Sequence, residues 1–462
     1  MTDEQNQRVM TMFEPFEHQK TTTDFIVKNP RVLVTSDPGT GKTRSMLDAF
    51  VQRGYGSGRM LVLAPLSILQ ASWGDDIKKF SPQLTYSIAY AKNRMKAFDE
   101  ETDIVIANHD AVKWIAKNLG YLEPFDTLCI DEFTAFKNKD SQRSKAMLKI
   151  AKEFKYRVAM SGTPNSNTIL DIWHPTLIVD DGERLGRRFY GFRSSVCTSR
   201  FNGFANEWVD RDDAQDIVAS CLHDINIRYK LEDCIDMPEN TTSTMFVDLP
   251  PKIMSQYKDF SEDSVLYTGK ATINAVHAGA KVKKLLQLCT GAVYDEDGVA
   301  QGIHKERYEL VMQLVAERNH SLVAFNWKHE RDQLIQLAES MGIKYDVIDG
   351  STQGNKRADV VNRMQAGQLQ VVFCHPQSAG HGLTMTKATS VIWASPTYNA
   401  EHYQQFNRRI YRAGQTKKTE TIQIAARNTW EPEVYKKLDS KLEKMEDLLK
   451  TLNQLRKLKD NN

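Results

Sequence analysis

The chain has no apolar run approaching the ~18 to 20 residues that a membrane-spanning helix needs. Its start, Met1-Thr2-Asp3-Glu4-Gln5-Asn6, is acidic and polar, unlike a signal peptide. We therefore expect no membrane partner and a protein that stays in the compartment where it is made. Cysteine is sparse: six in 462 residues, at Cys129, Cys197, Cys221, Cys234, Cys289 and Cys374. They form no C-x-x-C pair and have no neighbouring histidine pair, which argues against a disulfide scaffold and a zinc module and for reduced thiols. Net charge is almost absent at +2, so bulk charge does not point to a polyanion and any such footprint must be local. The basic runs are Lys281-Val282-Lys283-Lys284, Arg408-Arg409-Ile410-Tyr411-Arg412 and Lys417-Lys418, though runs this short are commonly solvated faces.

What is present is the composition of a globular protein, 41% hydrophobic and 26% charged. Single cores stop growing near ~250–300 residues, so this length implies two domains. Short β-rich apolar runs alternate with helical stretches, at Arg31 to Val34, Met60 to Ala64, Ile104 to Ala107, Leu128 to Ile130 and Arg157 to Met160. This predicts an α/β fold with a parallel sheet covered on both faces. Residues 165–240 are a mixed segment rich in Arg and aromatics (Trp173, Phe189, Tyr190, Phe192, Phe201, Trp208), read as a helical insertion. A second α/β series follows at Ser321 to Phe325, Tyr345 to Ile348, Gln370 to Phe373, Ser390 to Ala394 and Glu420 to Ala425. From Glu431, Leu438, Leu442, Met445, Leu449 and Leu452 recur at steps of four and three, predicting an amphipathic terminal helix, either a brace or a partner-binding element. The expected organisation is residues 1–240 as a first lobe with its insertion, 241–300 as a helical linker, 301–430 as a second lobe and 431–462 as the terminal helix.

Ser36-Asp37-Pro38-Gly39-Thr40-Gly41-Lys42-Thr43 lies between an apolar run and a helix start. Backbone amides and the helix dipole suit such a loop to phosphates, with Lys42 reaching the β/γ oxygens and the Thr43 hydroxyl placed for Mg²⁺. Ser36 stands where the general pattern has Gly. Asp131-Glu132 follows another strand, where one carboxylate holds the metal and the other orients the attacking water; we assign Asp131 and Glu132 those roles in turn. Ser161-Gly162-Thr163-Pro164 ends a third strand and either couples the nucleotide site to a neighbouring groove or is a plain turn. Arg409 and Arg412, three apart and hence expected on one helical face, can stabilise charge on a γ-phosphate.

The ordered set Phe16-Glu17-His18-Gln19, Asp37 to Thr43, Leu63 to Ser67, Asp131 to Asn138, Ser161 to Pro164, Asp349 to Thr352, Ser378 to Leu383 and Gln405 to Gln415 resembles the Swi/Snf branch of the superfamily 2 helicase-like ATPases. The resemblance implies two RecA-like lobes with ATP and Mg²⁺ between them and a nucleic-acid track across both. It assigns Gln19 to adenine, the loop Asp37, Pro38, Gly39, Thr40, Gly41, Lys42 and Thr43 to the nucleotide, Gly382 to the same site, and Arg409 and Arg412 to the γ-phosphate. It assigns DNA-backbone contacts to Pro65, Ser67, Asn108, His109, Lys137, Asn138, Asn326, Trp327, Ser378 and Gly380. Asp37-Pro38 and Phe133-Thr134 depart from the residues usual in the family, and His375 to Gly382 departs from the chromatin-remodeller form; that last string and the lean build look more like phage or bacterial members. The expectation is thus a monomeric, cytoplasmic DNA-dependent ATPase that translocates on double-stranded DNA with weak sequence preference. A strand-separating or annealing helicase is the alternative, and the terminal helix is a surface for a protein partner.

Overall fold

The computed structural model describes residues 14–460 except 55–57, 166, 202–205, 264, 268–271, 275–277, 295–298 and 380–382. It divides into two compact units, residues 1–236 with 441–462, and 237–440.

In the first unit seven parallel strands form one sheet: β1 (Arg31–Val34), β2 (Arg59–Ala64), β3 (Tyr86–Ala89), β4 (Ile104–Asn108), β5 (Phe125–Asp131), β6 (Tyr156–Met160) and, beyond an antiparallel ribbon of β7 (Cys197–Phe201) and β8 (Asn206–Asp210), the two-residue β9 (Asn226–Ile227). Their order is β3-β4-β2-β5-β6-β1-β9. Alternate residues feed opposite cores. Leu33, Leu61, Leu63, Val105 and Leu128 pack on one face, whereas Val32, Val34, Met60, Val62, Ile104 and Cys129 pack on the other. Each such side chain contributes about 1.5–3 kcal/mol on burial, and covering both faces is why the strands read as unbroken apolar runs.

The second unit holds a six-stranded parallel sheet of β10 (Asn240–Val247), then, past the antiparallel pairs β11 (Val265–Tyr267) with β12 (Thr272–Asn274) and β13 (Ala292–Tyr294) with β14 (Ala300–Gly302), β15 (Ser321–Ala324), β16 (Tyr345–Ile348), β17 (Val371–Cys374), β18 (Ser390–Trp393) and β19 (Thr419–Ala426). The order is β10-β19-β18-β15-β17-β16. Val323, Phe325, Phe373, Ile392, Ile422 and Ile424 join its core. The segment from residue 241, expected to be linker, therefore opens with a sheet strand: β10 pairs with β19 along its whole length. Its Thr- and Ser-rich stretch is mostly exposed, as an edge strand is, and so carries no apolar signature.

The terminal helix runs Glu431–Asp460. Met445, Leu449 and Leu452 are buried in the first unit's core with Leu442 packed against it, and Tyr435 donates to Ile424 O at 3.3 Å in the second. All six cysteines are free thiols. Among the described residues no helix is long and apolar enough to cross a membrane.

Candidate active site

Three strands that are neighbours in the first sheet, β5, β6 and β1, end in the acidic pair, the Ser161-Gly162-Thr163 turn and the glycine-rich loop. Ligands of open parallel sheets gather outside the strands' carboxyl ends, so adjacency in the sheet joins motifs about a hundred residues apart in sequence. Gly39 and Gly41 have φ of +94° and +83°, which let the chain turn back into the helix Lys42–Gln52. At Gly41 a Cβ would also lie 2.1 Å from Gln19 Nε2. Gln19 is buried there because its Nε2 donates to Thr40 O (3.1 Å) and its Oε1 accepts from Phe16 N (3.1 Å). The residue assigned to adenine thus touches the phosphate loop directly.

The Lys42 ammonium donates to Ser36 O (2.8 Å) and Asp37 O (3.1 Å). Burial lowers its pKa, and the charges of Glu132, Asp131 and Asp37 oppose that shift, so loop and acidic pair share one electrostatic site. At the end of β5, Trp73 Nε1 donates to Asp131 Oδ2 (2.9 Å) and burial raises the Asp131 carboxyl. Glu132 stands in the left-handed region at φ +58°, a conformation that costs a non-glycine residue free energy and aims its side chain away from the strand's alternation. Its Oε1 accepts from Ser161 Oγ (2.5 Å) and Thr134 Oγ1 (3.3 Å), and Ser161 Oγ accepts from Thr163 N (3.1 Å). A Cβ on Gly162 would come within 2.6 Å of Pro38 Cδ, so this turn also lies against the phosphate loop. The turn is part of the site, and Ser161 is the residue that holds Glu132.

The Asp37 carboxylate is engaged within the protein. Its carboxylate accepts from Arg228 (2.9 Å) and Leu231 N (3.3 Å), a buried pair with both side chains at most 2% exposed. Arg228 also donates to Thr35 O (2.8 Å) and to Glu446 Oε1 of the terminal helix (3.2 Å), while Lys230 pairs with Glu446 Oε2 (2.9 Å). Ser36 Oγ accepts from Tyr229 N (3.0 Å), which accounts for a hydroxyl where glycine is usual: it ties the loop to the chain leaving β9. Sequence reasoning missed Arg228, a single arginine 191 residues from its partner.

The residues assigned to the DNA backbone divide. Pro65 and Ser67 follow β2 and flank the exposed Leu66, and Asn138 is exposed. Asn108 Oδ1 accepts from Arg94 at 3.5 Å. Lys137 is paired with Asp171 (3.2 Å). His109 is buried, with its Nε2–H on Asp131 O (2.8 Å) and its pKa pushed down to about 4 by desolvation. So bonded, the neutral, enclosed imidazole fixes the end of β5 beside the acidic pair.

In the second unit Asn326, Trp327 and Ser378 line one groove of about 650 Å³ together with Arg331, Asp349 and His375, at the carboxyl ends of β15, β16 and β17. Asn326 Nδ2 donates to Ser395 Oγ (2.9 Å) and Pro396 O (3.1 Å). Beneath it, buried Glu330 accepts on Oε2 from Asn326 N (2.6 Å), Trp327 N (2.9 Å) and Ser395 Oγ (3.1 Å). Desolvation nonetheless raises Glu330 from 4.5 to about 7. A carboxyl whose pKa is raised on folding contributes stability that is fully present below its unfolded value and is lost as pH rises through the folded one. Glu330→Gln, neutral throughout, should therefore gain on the parent by roughly 3 kcal/mol between pH 4.5 and 8, read from denaturant unfolding of the second unit. A pH-independent difference would refute this.

Arg409 and Arg412 do not share a helical face. The helix Ala400–Asn407 ends before them and the chain continues in turns, with Met385 N bonded to Arg409 O (3.0 Å). They converge nonetheless, both donating to Leu383 O, at 2.9 and 3.1 Å. Arg409 is additionally braced on Gln405 O (2.9 Å) and is 5% exposed, which makes it the inner member of the pair. Gly380 and Gly382 lie outside the described residues.

The SNF2-related domain matches residues 18–290 and the helicase conserved C-terminal domain matches residues 306–414. Protein p41 of Acyrthosiphon pisum secondary endosymbiont phage 1 is 29% identical over 95% of this chain and 98% of its own length. YwqA of Bacillus subtilis, which bears the name of an ATP-dependent helicase/translocase, is 22% identical over 88% of this chain, but the match covers only 45% of YwqA. Among solved structures, the Sulfolobus solfataricus SWI2/SNF2 ATPase core in complex with dsDNA aligns at 19% identity over 92% of this chain and 90% of that one, with a TM-score of 0.43. With the glycine-rich loop, the acidic pair and the Ser161-Gly162-Thr163 turn joined at one end of the sheet and the family's two domain models matched in order, the chain belongs to the SNF2-related ATPases of helicase superfamily 2.

Proposed function

We propose that this ATPase is stimulated by double-stranded DNA and uses ATP turnover to translocate along the duplex backbone. The observation that carries the reading is the bonded chain Thr163–Ser161–Glu132 lying against Pro38 of the phosphate loop. A residue that positions water is there linked to the turn through which a bound polymer can be sensed. Lys42 and the loop amides hold the phosphates, Glu132 orients the attacking water, and Arg409 with Arg412 meets the charge that develops on the transferring group.

Thr43 and Asp131 would hold Mg²⁺, which supplies charge neutralisation at the phosphates when bound. No group of three or more His, Cys, Asp or Glu suited to a metal occurs among the described residues. That fits an ion that takes one or two protein oxygens and completes its shell with phosphate and water. DNA is held through phosphates, by Pro65 to Ser67, Asn108 and Lys137-Asn138 on one lobe and by the Asn326, Trp327 and Ser378 groove on the other. Binding is therefore weakly sequence-selective and falls steeply with salt.

ATP turnover measured without polymer and with duplex DNA, single-stranded DNA or RNA, beside triplex displacement and strand unwinding, tests the reading. Duplex DNA should stimulate turnover most and support triplex displacement without unwinding. Stimulation by single strands alone would overturn it.

A further inference from the structure

The segment between β6 and β9 that the nucleotide site does not use is where cationic and aromatic side chains concentrate. From Arg184 to Asn206 there are five arginines and no Asp or Glu, in a chain whose net charge is +2. The helix Phe189–Val196 and the ribbon β7–β8 carry Arg193, Arg200 and the rings Phe189, Tyr190, Phe192, Phe201 and Trp208, and Arg184, Arg187 and Arg188 lie just before the helix. Register puts Trp208 opposite Ser199 and Asn206 opposite Phe201, so Trp208 and Phe201 share one face of the ribbon. Across that face cations and rings alternate. Lys139 Nζ lies 5.1 Å from the Phe189 ring centre and 5.8 Å from that of Tyr190. The Arg193 guanidinium lies 5.0 Å from Tyr190 and 3.9 Å from Trp208.

Two of the aromatic rings remain largely in solvent, Tyr190 at 65% and Phe201 at 68% exposed. Arg187 and Arg188, directly before the helix Phe189–Val196, are exposed, and so is Arg200, which the strand's alternation turns to the opposite face of the ribbon from Phe201. Nearby acids temper part of this charge: Asp140 pairs with Lys139, and Asp180, Glu183 and Asp224 all pair with Arg184.

Single exposed hydrophobics are ordinary on any surface. Two exposed rings on a surface where Lys139 and Arg193 interleave with Phe189, Tyr190 and Trp208 are the chemistry of a strand-binding platform, on which phosphates meet cations and bases stack on ring faces. A duplex hides its base faces, so stacking requires unpaired nucleotides. We propose that this face of the first lobe binds an unpaired strand extending from the duplex, and that the preferred substrate is a duplex with a single-stranded tail or fork. Lys139 continues directly from Lys137 and Asn138, which are assigned to the duplex backbone, so tail and duplex would occupy adjoining surfaces. The inference rests on the DNA reading above and refines its substrate.

Fluorescence anisotropy with the full chain, at one fixed salt concentration, compares a labelled blunt duplex with the same duplex carrying a single-stranded tail. The tailed duplex should bind about tenfold tighter or more, the size of one or two stacked bases. Tyr190→Ala with Phe201→Ala should erase that preference while leaving blunt-duplex affinity and blunt-duplex-stimulated ATP turnover unchanged. Tyr190→Phe with Phe201→Tyr, which keeps the rings, should retain it. No tail preference in the parent chain, or a preference that survives loss of both rings, overturns the proposal. Absence of any stimulation by blunt duplex would instead strike the translocase reading and leave the binding comparison standing on its own.

Discussion

Glu132→Gln is expected to lower the rate of ATP turnover by about 10²–10⁴-fold, the usual contribution of a positioned acid–base group, while leaving ATP binding close to that of the parent. The structure gives specific reasons. Glu132 sits at φ +58° at the end of a buried parallel strand, and its Oε1 is gripped by Ser161 and Thr134. An amide oxygen accepts the same two hydroxyl donors, so the side chain should stay where it is and the lobe should fold normally. What is lost is the negative charge, and with it the capacity to draw a proton from an attacking water. Lys42 would lose one of the acidic neighbours that oppose the lowering of its pKa, but its bonds to Ser36 O and Asp37 O are independent of Glu132. Steady-state turnover and nucleotide binding by equilibrium titration separate the two effects. Ser161→Ala should fall between, roughly tenfold down in kcat, because it frees the carboxylate without discharging it. Normal turnover in Glu132→Gln would refute the assignment.

Much of this architecture is legible in the sequence for one physical reason. Central strands of a parallel sheet bury both faces, so β1, β2, β4, β5, β6, β15, β17 and β18 stand out as apolar runs, and the motifs sit just after several of them. The strands that were not read lack that signal: Tyr86–Ala89 alternates buried and half-buried residues, Asn226–Ile227 is two residues long, and Asn240–Val247 is a polar edge. At the site, the spacing of Arg409 and Arg412 implied a shared helical face, whereas the two meet at Leu383 O through turns beyond the helix end. His109 and Asp37 show the other limit. Their motif positions are as expected, yet burial decides what each does, the first backing the end of β5 and the second anchoring a loop. Burial is a tertiary property that no local pattern near residue 37 or 109 reports.

Arg228→Ala should destabilise the first lobe by about 3–5 kcal/mol, as removal of one member of a buried ion pair does. The substitution leaves the Asp37 carboxylate charged and enclosed and strips Thr35 O of a donor, in the two residues that flank Ser36. The same two bonds hold the segment whose carbonyls, Ser36 O and Asp37 O, accept from the Lys42 ammonium. Protein that survives the substitution should therefore bind ATP more weakly, with KM raised more than kcat is lowered, because the loop is displaced before chemistry begins. Glu446→Gln makes the contrast. It touches the same arginine from the terminal helix, but Glu446 and its second partner Lys230 are each about a third exposed, and Met445, Leu449 and Leu452 keep the helix in the core. Its cost should stay below about 1 kcal/mol, the range of exposed ion pairs. Denaturant unfolding followed alongside ATP titration decides the matter. Equal losses from Arg228→Ala and Glu446→Gln would mean that the terminal helix, and not the buried Asp37 pair, sets the position of the phosphate loop.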